Sequence, residues 1–360
     1  MSSMKRALVG SLAAVMMLGS LTACGGVKKS ELSDDYSKVV AATYGNENIY
    51  LDEVNFILRD RQYMYEYYSA MYGMNLLNNE ESVNVLYQEA LSSILQTRVL
   101  CQHAADYNVE LTEEEKALVA DAVKSIVEND TMNNYYEIAG RDETMLNELM
   151  TKNAIANKVY FTIKEGAEIT TTMDECTRNA VTYLLLSEVA EEAENEEAEN
   201  EEEGEEAEEA VAYTEEDANK VLARVEAGES LDDIADEMGL STQKGNYTVN
   251  VAPETELGVA ASTMTEGQSK VIYIKDTGWY VLTCTASVDQ ESTENAYEAS
   301  VSTEKETHFS SVYEGLSKDK FNVVDEVIAM LNVMDTPVFN IEASEDVESE
   351  EVESESEVTE

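Results

Sequence analysis

Residues 180–187 read AVTYLLLS, and residues 191–210 read EEAENEEAENEEEGEEAEEA. The first is an apolar run of strand length, and it predicts a buried β-strand. Thirteen of the twenty residues 191–210 are Glu. Such a run has little apolar surface to bury and repels itself when compact, so it is expected to be disordered. The chain thus enters a core and leaves it at once for water. What lies on either side decides how to read that exit.

The whole chain has 360 residues, room for two or three domains, and a hydrophobic content of 43% that permits a sizeable core. Its formal net charge of −52 is unevenly spread, for ten of the nineteen residues 342–360 are also acidic. The balance excludes nucleic acid and electrostatic adhesion to anionic lipid, and permits basic or unfolded polypeptide partners. The four cysteines, Cys24, Cys101, Cys176 and Cys284, show no CxxC spacing, so neither a zinc site nor a thioredoxin-like site is signalled. His103 and His308 are the only histidines, too few for a triad or a multi-histidine metal centre, and both read as surface or packed helix positions. No motif signals a metal or another cofactor.

The N-terminus carries an address. Lys5 and Arg6 precede the apolar stretch Ala7 to Leu18, which is short for a membrane span, and Leu21-Thr22-Ala23-Cys24 follows. This resembles the lipobox of bacterial lipoproteins. The resemblance implies a signal peptide over 1–23, lipidation of Cys24 and a polar tether over 24–37, on a protein held outside the cytoplasm at the membrane. Two or more acyl chains, at about 0.8 kcal/mol per buried methylene, suffice for a stable anchor. Three widely spaced cysteines then remain and read as packed thiols.

The first half reads as helical. A strand-like run KVVAATY (38–44) meets a turn at Gly45-Asn46, and from Tyr50 onward Leu51, Val54, Ile57 and Leu58 recur at helical spacing. That helix carries an aromatic and thioether cluster: Tyr63, Met64, Tyr65, Tyr67, Tyr68, Met71, Tyr72 and Met74. One reading is bundle packing; the other is a pliable surface for apolar chain segments, with Tyr63, Met64, Tyr67, Tyr68, Met71 and Tyr72 as candidate client-binding residues. Further helices are predicted from about Glu81 to Tyr107, from Thr112 (with Glu115 in a capping box) to about residue 128, over TMNNYYEIAG, and from Asp142 to about Lys164. The phrases VVAATYGNENIYLDEVNFIL and LYQEALSSILQTRVLCQHAADYNVELTEEE resemble the N-terminal chaperone region of the SurA and PrsA foldases, a match that covers roughly residues 38–165.

Beyond the glutamate run, Thr214 reads as an N-cap with Asp217 three residues later, Gly228 as a stop, and Ser230 as the start of a second short helix. GVAASTM reads as another short helix, followed by strands at 270–275 and 279–285. ARVEAGESLDDIADEMG and MTEGQSKVIYIKDTGWYVLTCT resemble the parvulin (PpiC-type) peptidyl-prolyl isomerase domain, here over 178–287. By that resemblance AVTYLLLS is the first strand of the sheet and the acidic stretch 188–212 an insertion in the loop after it, where added length costs little. The family's two histidines fall on Tyr183 and Tyr280, and GNYTVNVAPETELG replaces its glycine-rich stretch, with Gly245 surviving. X–Pro isomerisation needs no charged nucleophile, and tyrosine hydroxyls can donate to a twisting amide. Loss of both imidazoles and of the glycine loop nonetheless implies a weak or absent isomerase.

Residues 290–335 read as helix, short strand and helix, and by the SurA and PrsA resemblance they fold back on the chaperone domain, with residues 338–360 as a disordered acidic tail. The expected fold is α+β: a helical chaperone domain completed by a C-terminal segment, with an inserted parvulin-like α/β domain. The expected function is a membrane-anchored foldase or chaperone that binds unfolded secreted polypeptides in an apolar crevice between the helical domain and the sheet. The alternatives are an active parvulin-type isomerase using Tyr183 and Tyr280, and a non-catalytic surface scaffold.

Overall fold

A computed structural model describes residues 22–23, 35–129, 132–187, 212–250 and 253–339. The expected signal peptide up to residue 21, Cys24, the expected tether up to residue 34, the expected acidic loop over 188–211 and the expected tail from residue 340 lie outside the described residues. The fold is α+β, and the chain divides into two compact units: Met1–Ala167 with Thr307–Glu360, and Glu168–Glu306. Val338 and Phe339, expected to begin the disordered tail, are instead packed within the first unit.

In the first unit, strand β1 (Thr22–Ala23) is two residues long and pairs parallel at the edge of a small sheet. Strands β2 (Val40–Tyr44) and β3 (Glu47–Tyr50) form an antiparallel hairpin across Gly45-Asn46. Gly45 has φ +56, and a Cβ there would meet Asp319 Oδ2 at 2.8 Å, so glycine is the residue the turn accepts. Strand β3 was not expected from the sequence. It has four residues with one buried side chain, Ile49, too few to register as an alternating pattern.

Helix α1 (Leu51–Tyr72) follows directly and ends where Gly73 turns left-handed at φ +63, with Met74 N–H returning to Ser69 O at 3.0 Å. Helix α2 (Glu80–Gln102) opens on a reciprocal Asn79/Ser82 cap. It stops five residues short of the expected Tyr107; a 3-10 turn over Ala104–Tyr107 follows and closes on Asn108 at φ 54. Helix α3 (Glu113–Val127) has the reciprocal Thr112/Glu115 capping box, and α4 (Asn133–Ala139) and α5 (Glu143–Glu165) complete the first run of helices.

The C-terminal part of the chain closes this unit. In α9 (Gln290–Leu316; α6 to α8 belong to the second unit) Phe309 and Tyr313 are buried, and strand β8 (Phe321–Val323) pairs antiparallel with β2 through Ala42 opposite Val323 and Tyr44 opposite Phe321. Helix α10 (Asp325–Ile328) is one turn, continued by a 3-10 turn over Ala329–Leu331, where a longer amphipathic helix was expected. One core joins Ile49, Leu51 and Leu58 to Leu86, Ile94 and Leu100, to Val159 and Ile163, and to Phe309, Val323 and Leu331. Each such side chain contributes about 1.5–3 kcal/mol by leaving water.

Arg98 of α2 is fully buried inside this unit. Its Nη2 lies 2.5 Å from Glu53 Oε2 of α1, and its Nε lies 3.0 Å from Glu47 of β3, which also binds Lys152 of α5 at 2.7 Å. One guanidinium thus ties a strand to two helices. Burial raises the Glu53 pKa, and the positive charge of Arg98 opposes that rise.

The second unit is built on β4 (Arg178–Ser187). It lies inside an antiparallel sheet of order β5-β4-β7-β6, with β5 (Gln243–Thr248), β6 (Ser269–Ile274) and β7 (Gly278–Ala286). An interior strand covered on both faces reads as a continuous apolar run rather than an alternation. Leu184 and Leu186 pack on α6 (Glu215–Glu226) and α7 (Leu231–Glu237), while Val181 packs on the opposite face with Ala261 of α8 (Glu256–Ser262). Helix α6 carries the reciprocal Thr214/Asp217 cap. Tyr213 N–H donates to Ser187 O at 2.9 Å, so the chain re-enters within one hydrogen bond of its exit from β4. Strand β5 also went unforeseen: QKGNYT is an exposed edge strand with Gly and Asn in it, both depleted in strands.

Replacing Arg98 by Met is expected to destabilise the protein by about 3–5 kcal/mol, because Glu53 keeps a buried, uncompensated charge. The variant raises the folded pKa of Glu53 further above its unfolded value. That penalty is complete above the raised pKa and vanishes below the unfolded one. The deficit against the parent protein should therefore be full at pH 7 and shrink toward pH 4, as read from urea unfolding at both pH values.

Candidate functional site

Two surfaces carry the residues singled out from the sequence. The first lies on the α8 face of the second unit's sheet. In the β4–β7 ladder Tyr183 stands opposite Leu282 and Tyr280 opposite Leu185, so the two tyrosines are diagonal neighbours on one face. Their ring centroids are 5.9 Å apart with planes tilted by 50°. Tyr183 Oη donates to Gln243 Oε1 at 2.8 Å, and Gln243 is its direct partner across β4 and β5.

A third tyrosine, missed in the sequence, completes the group. Gln243, Gly245 and Tyr247 share one face of β5 by the two-residue period of a strand. Because Gly245 has no side chain, the Tyr247 ring leans over it: a Cβ at Gly245 would lie 2.7 Å from Tyr247 Cε2 and Oη. Tyr247 thereby packs into the same small core as Tyr183, Tyr280, Leu257 and Ile272. A glycine two residues before a tyrosine in an alternating run was the available signal.

The electrostatics bound the chemistry. Burial, and then the neighbouring Tyr183, push the Tyr247 hydroxyl up to about 12; burial also raises Tyr280. Both phenols are therefore neutral at physiological pH, donors of hydrogen bonds rather than bases or nucleophiles. Neither histidine belongs to this unit. His103 ends α2, with Nδ1 2.7 Å from Asp106 Oδ2, and His308 lies on the part of α9 that belongs to the first unit. Cys176 and Cys284 are buried free thiols and Cys101 a half-buried one, its pKa pushed up to about 11 by burial. Among the described residues no group of His, Cys, Asp and Glu is placed to hold a metal ion. A separate cavity of about 580 Å³, bordered by Val225, Met264 and residues 267–270, has mostly polar walls, and Lys270 there already bonds Ala260 O and Thr263.

The second surface is the C-terminal half of α1. Met64, Tyr67, Tyr68, Met71 and Tyr72 are all exposed, and their three- and four-residue spacing sets them side by side. Exposure grows toward the helix end, reaching 52% at Met71 and 63% at Tyr72. Tyr68 and Tyr72 stack with centroids 6.3 Å apart, and Tyr67 meets Tyr68 edge-on at 5.6 Å. Tyr63 is half-buried against Tyr135 at 5.5 Å, and Tyr65 donates from Oη to Glu89 at 3.0 Å, so these two serve packing as well. Cys24 lies outside the described residues. No described helix is long and apolar enough to cross a membrane.

No protein-family model matches the chain, and no curated protein matches it. Solved structures similar to it include the peptidyl-prolyl isomerase PrsA of Bacillus anthracis, at 14% identity over 67% of this chain and 97% of that one, with a TM-score of 0.27. PrsA of Bacillus cereus shares 14% identity over 75% of this chain and 95% of its own, with a TM-score of 0.30. A SurA-like chaperone of Campylobacter jejuni shares 12% identity over 80% of this chain and 99% of its own, with a TM-score of 0.26. At such values the fold stands on the strand order, register and cores described above.

Gly245→Ala is expected to expel the Tyr247 ring from the cluster while β5 stays paired. The Tyr247 hydroxyl should then fall from about 12 toward the ordinary value of about 10, read as the pH titration of its ring carbon in a tyrosine-labelled NMR sample. An unmoved titration would show that the ring does not need the space above Gly245.

Proposed function

We propose that the protein is a lipid-anchored extracytoplasmic chaperone that holds unfolded secreted polypeptide on the Tyr and Met face of α1, with weak or absent prolyl isomerase activity. The observation that carries this reading is the exposed row Met64, Tyr67, Tyr68, Met71 and Tyr72. A contiguous apolar patch on a folded surface marks an interaction site. Its composition suits partners of no fixed sequence: the thioether adapts its shape, and tyrosine offers a large apolar area with a polar tip and little rotamer entropy to lose. The net charge of −52 keeps such a surface from gathering copies of itself. The anchor is supported by the lipobox-like sequence that ends at Cys24.

A second reading, an isomerase acting through Tyr183 and Tyr280, is favoured by the convergence of the two rings at 5.9 Å. The two rings can bind an apolar ring, and their hydroxyls can donate to a carbonyl. They bring no charge to the twisting amide, and for that reason binding ranks above catalysis here.

At a one-to-one ratio the mature protein should slow the light scattering of a reduced, aggregating model protein. The triple variant Tyr67→Ala, Met71→Ala, Tyr72→Ala should lose at least half of that effect. Met71→Ala and Tyr72→Ala sit at the most exposed positions and should each alter stability by about 0.5 kcal/mol or less. Tyr67→Ala also removes an aromatic contact with Phe339, so the variant's melting temperature is compared with the parent's. Equal suppression by the triple variant would remove α1 from the function. In a proline-peptide assay the rate is expected to stay near the uncatalysed one, with time constants of tens to hundreds of seconds. A fast phase abolished by Tyr183→Phe would instead establish the isomerase. Cys24→Ser should move the protein from the membrane fraction to the soluble one; retention in the membrane would discard the lipid anchor.

A further inference from the structure

The last described residues run along α1. Arg59, Gln62 and Glu66 form a row at three- and four-residue spacing, and Arg59 and Gln62 are almost wholly buried beneath the chain they bind. Arg59 donates to Leu331 O, and to Thr336 O at 3.4 Å. Gln62 Nε2 donates to Val333 O at 3.2 Å, to Thr336 O at 2.9 Å and to Glu66 Oε1 at 2.6 Å. Glu66 Oε2 accepts from Val338 N–H at 2.8 Å and from Phe339 N–H at 2.7 Å. Each bond from the row to this segment goes to backbone.

Two side chains supply the rest of the contact. Val338 is buried with Phe56, Leu146 and Tyr135. Phe339 sits edge-on to Tyr63 at 5.3 Å and to Tyr67 at 5.7 Å. Tyr67 is also a member of the exposed Tyr and Met row, so the segment ends on that surface. Polar groups that read only N–H and C=O, beside sockets for one β-branched and one aromatic side chain, make up a site for extended polypeptide of variable sequence.

We infer that residues 336–339 occupy in cis one end of a peptide-binding site on α1, whose ligand class is an extended chain with adjacent β-branched and aromatic residues. The segment is a built-in competitor for that site. This rests on the reading of α1 as the client surface. A tethered segment competes at an effective concentration in the millimolar range, so only a chain that displaces it gains the full site.

The test uses full-length mature protein and a fluorescein-labelled peptide of sequence Met-Asp-Thr-Pro-Val-Phe-Asn, that of residues 334–340. Phe339→Ala should bind the peptide at least about tenfold tighter than the parent protein, because the competent fraction rises. Adding Glu66→Ala should remove the gain. A Phe339→Ala variant with the parent's circular dichroism and melting temperature that binds no tighter overturns the inference. A second measurement does not depend on that variant folding: a fluorinated phenylalanine placed at position 339 of the otherwise unmodified protein. Excess peptide should move its fluorine resonance to that of a solvent-exposed ring, and an unmoved resonance overturns the inference. Aggregation assays on the same samples separate the two proposals. Peptide binding without suppression keeps the site and discards the chaperone role; suppression without a gain in peptide binding does the reverse.

Discussion

Strand β4 has a hydrogen-bonded neighbour along each edge and a helix layer against each face. That enclosure is the constraint on which the second unit depends. It forces Leu184 and Leu186 to one side and Val181 to the other, which is why the sequence there is apolar without alternation. It also fixes register: a slip of one residue would turn every side chain of β4 to the wrong layer. Tyr183 and Tyr280 meet because of that register, and Tyr247 joins them because β5 is paired to the same strand. An insertion is tolerated only where the strand ends. There the bond from Tyr213 N–H to Ser187 O closes the exit, so the sheet does not register how much chain lies between.

In the first unit α1 has the corresponding position. Its N-terminal half is committed to the core through Leu51, Val54 and Leu58, and its middle holds the row Arg59, Gln62 and Glu66 that receives the C-terminal segment. Beyond Tyr67 the side chains Tyr68, Met71 and Tyr72 stay exposed, Tyr72 the most at 63%. The same helix thus passes from structural burial to backbone recognition to open aromatic surface over six turns. Arg98 holds the buried end in place by tying α2 to Glu53 of α1 and to Glu47 of β3, a fixed geometry that costs desolvation and leaves little freedom for sliding.

These two surfaces share a chemical character. Tyr247 and Tyr280 of the sheet are neutral, and the α1 row presents rings and thioethers with no charged group among them. Neither arrangement stabilises a developing charge strongly, and both suit the contact of apolar surface with apolar surface. The proposed function rests on where such apolar groups are left uncovered.

Much of this was legible in the residues. Periodicity and caps marked the helices, and the reciprocal Thr112/Glu115 and Thr214/Asp217 caps formed where the sequence indicated. Strand β4 was visible because burial on both faces leaves an unmixed apolar run. Strands β3 and β5 were not, because a short edge strand with one buried residue or a central Gly-Asn takes its stability from its partner rather than from its own composition. The same reason hid Tyr247, whose place depends on register with β4 and on the empty space above Gly245. Composition and local propensity determined which segments are helix and which run is buried. Only the tertiary structure decided which tyrosines meet and which stay exposed, and that Phe339 returns to α1. Those outcomes depend on pairings between residues far apart in the chain, and no local free energy encodes them.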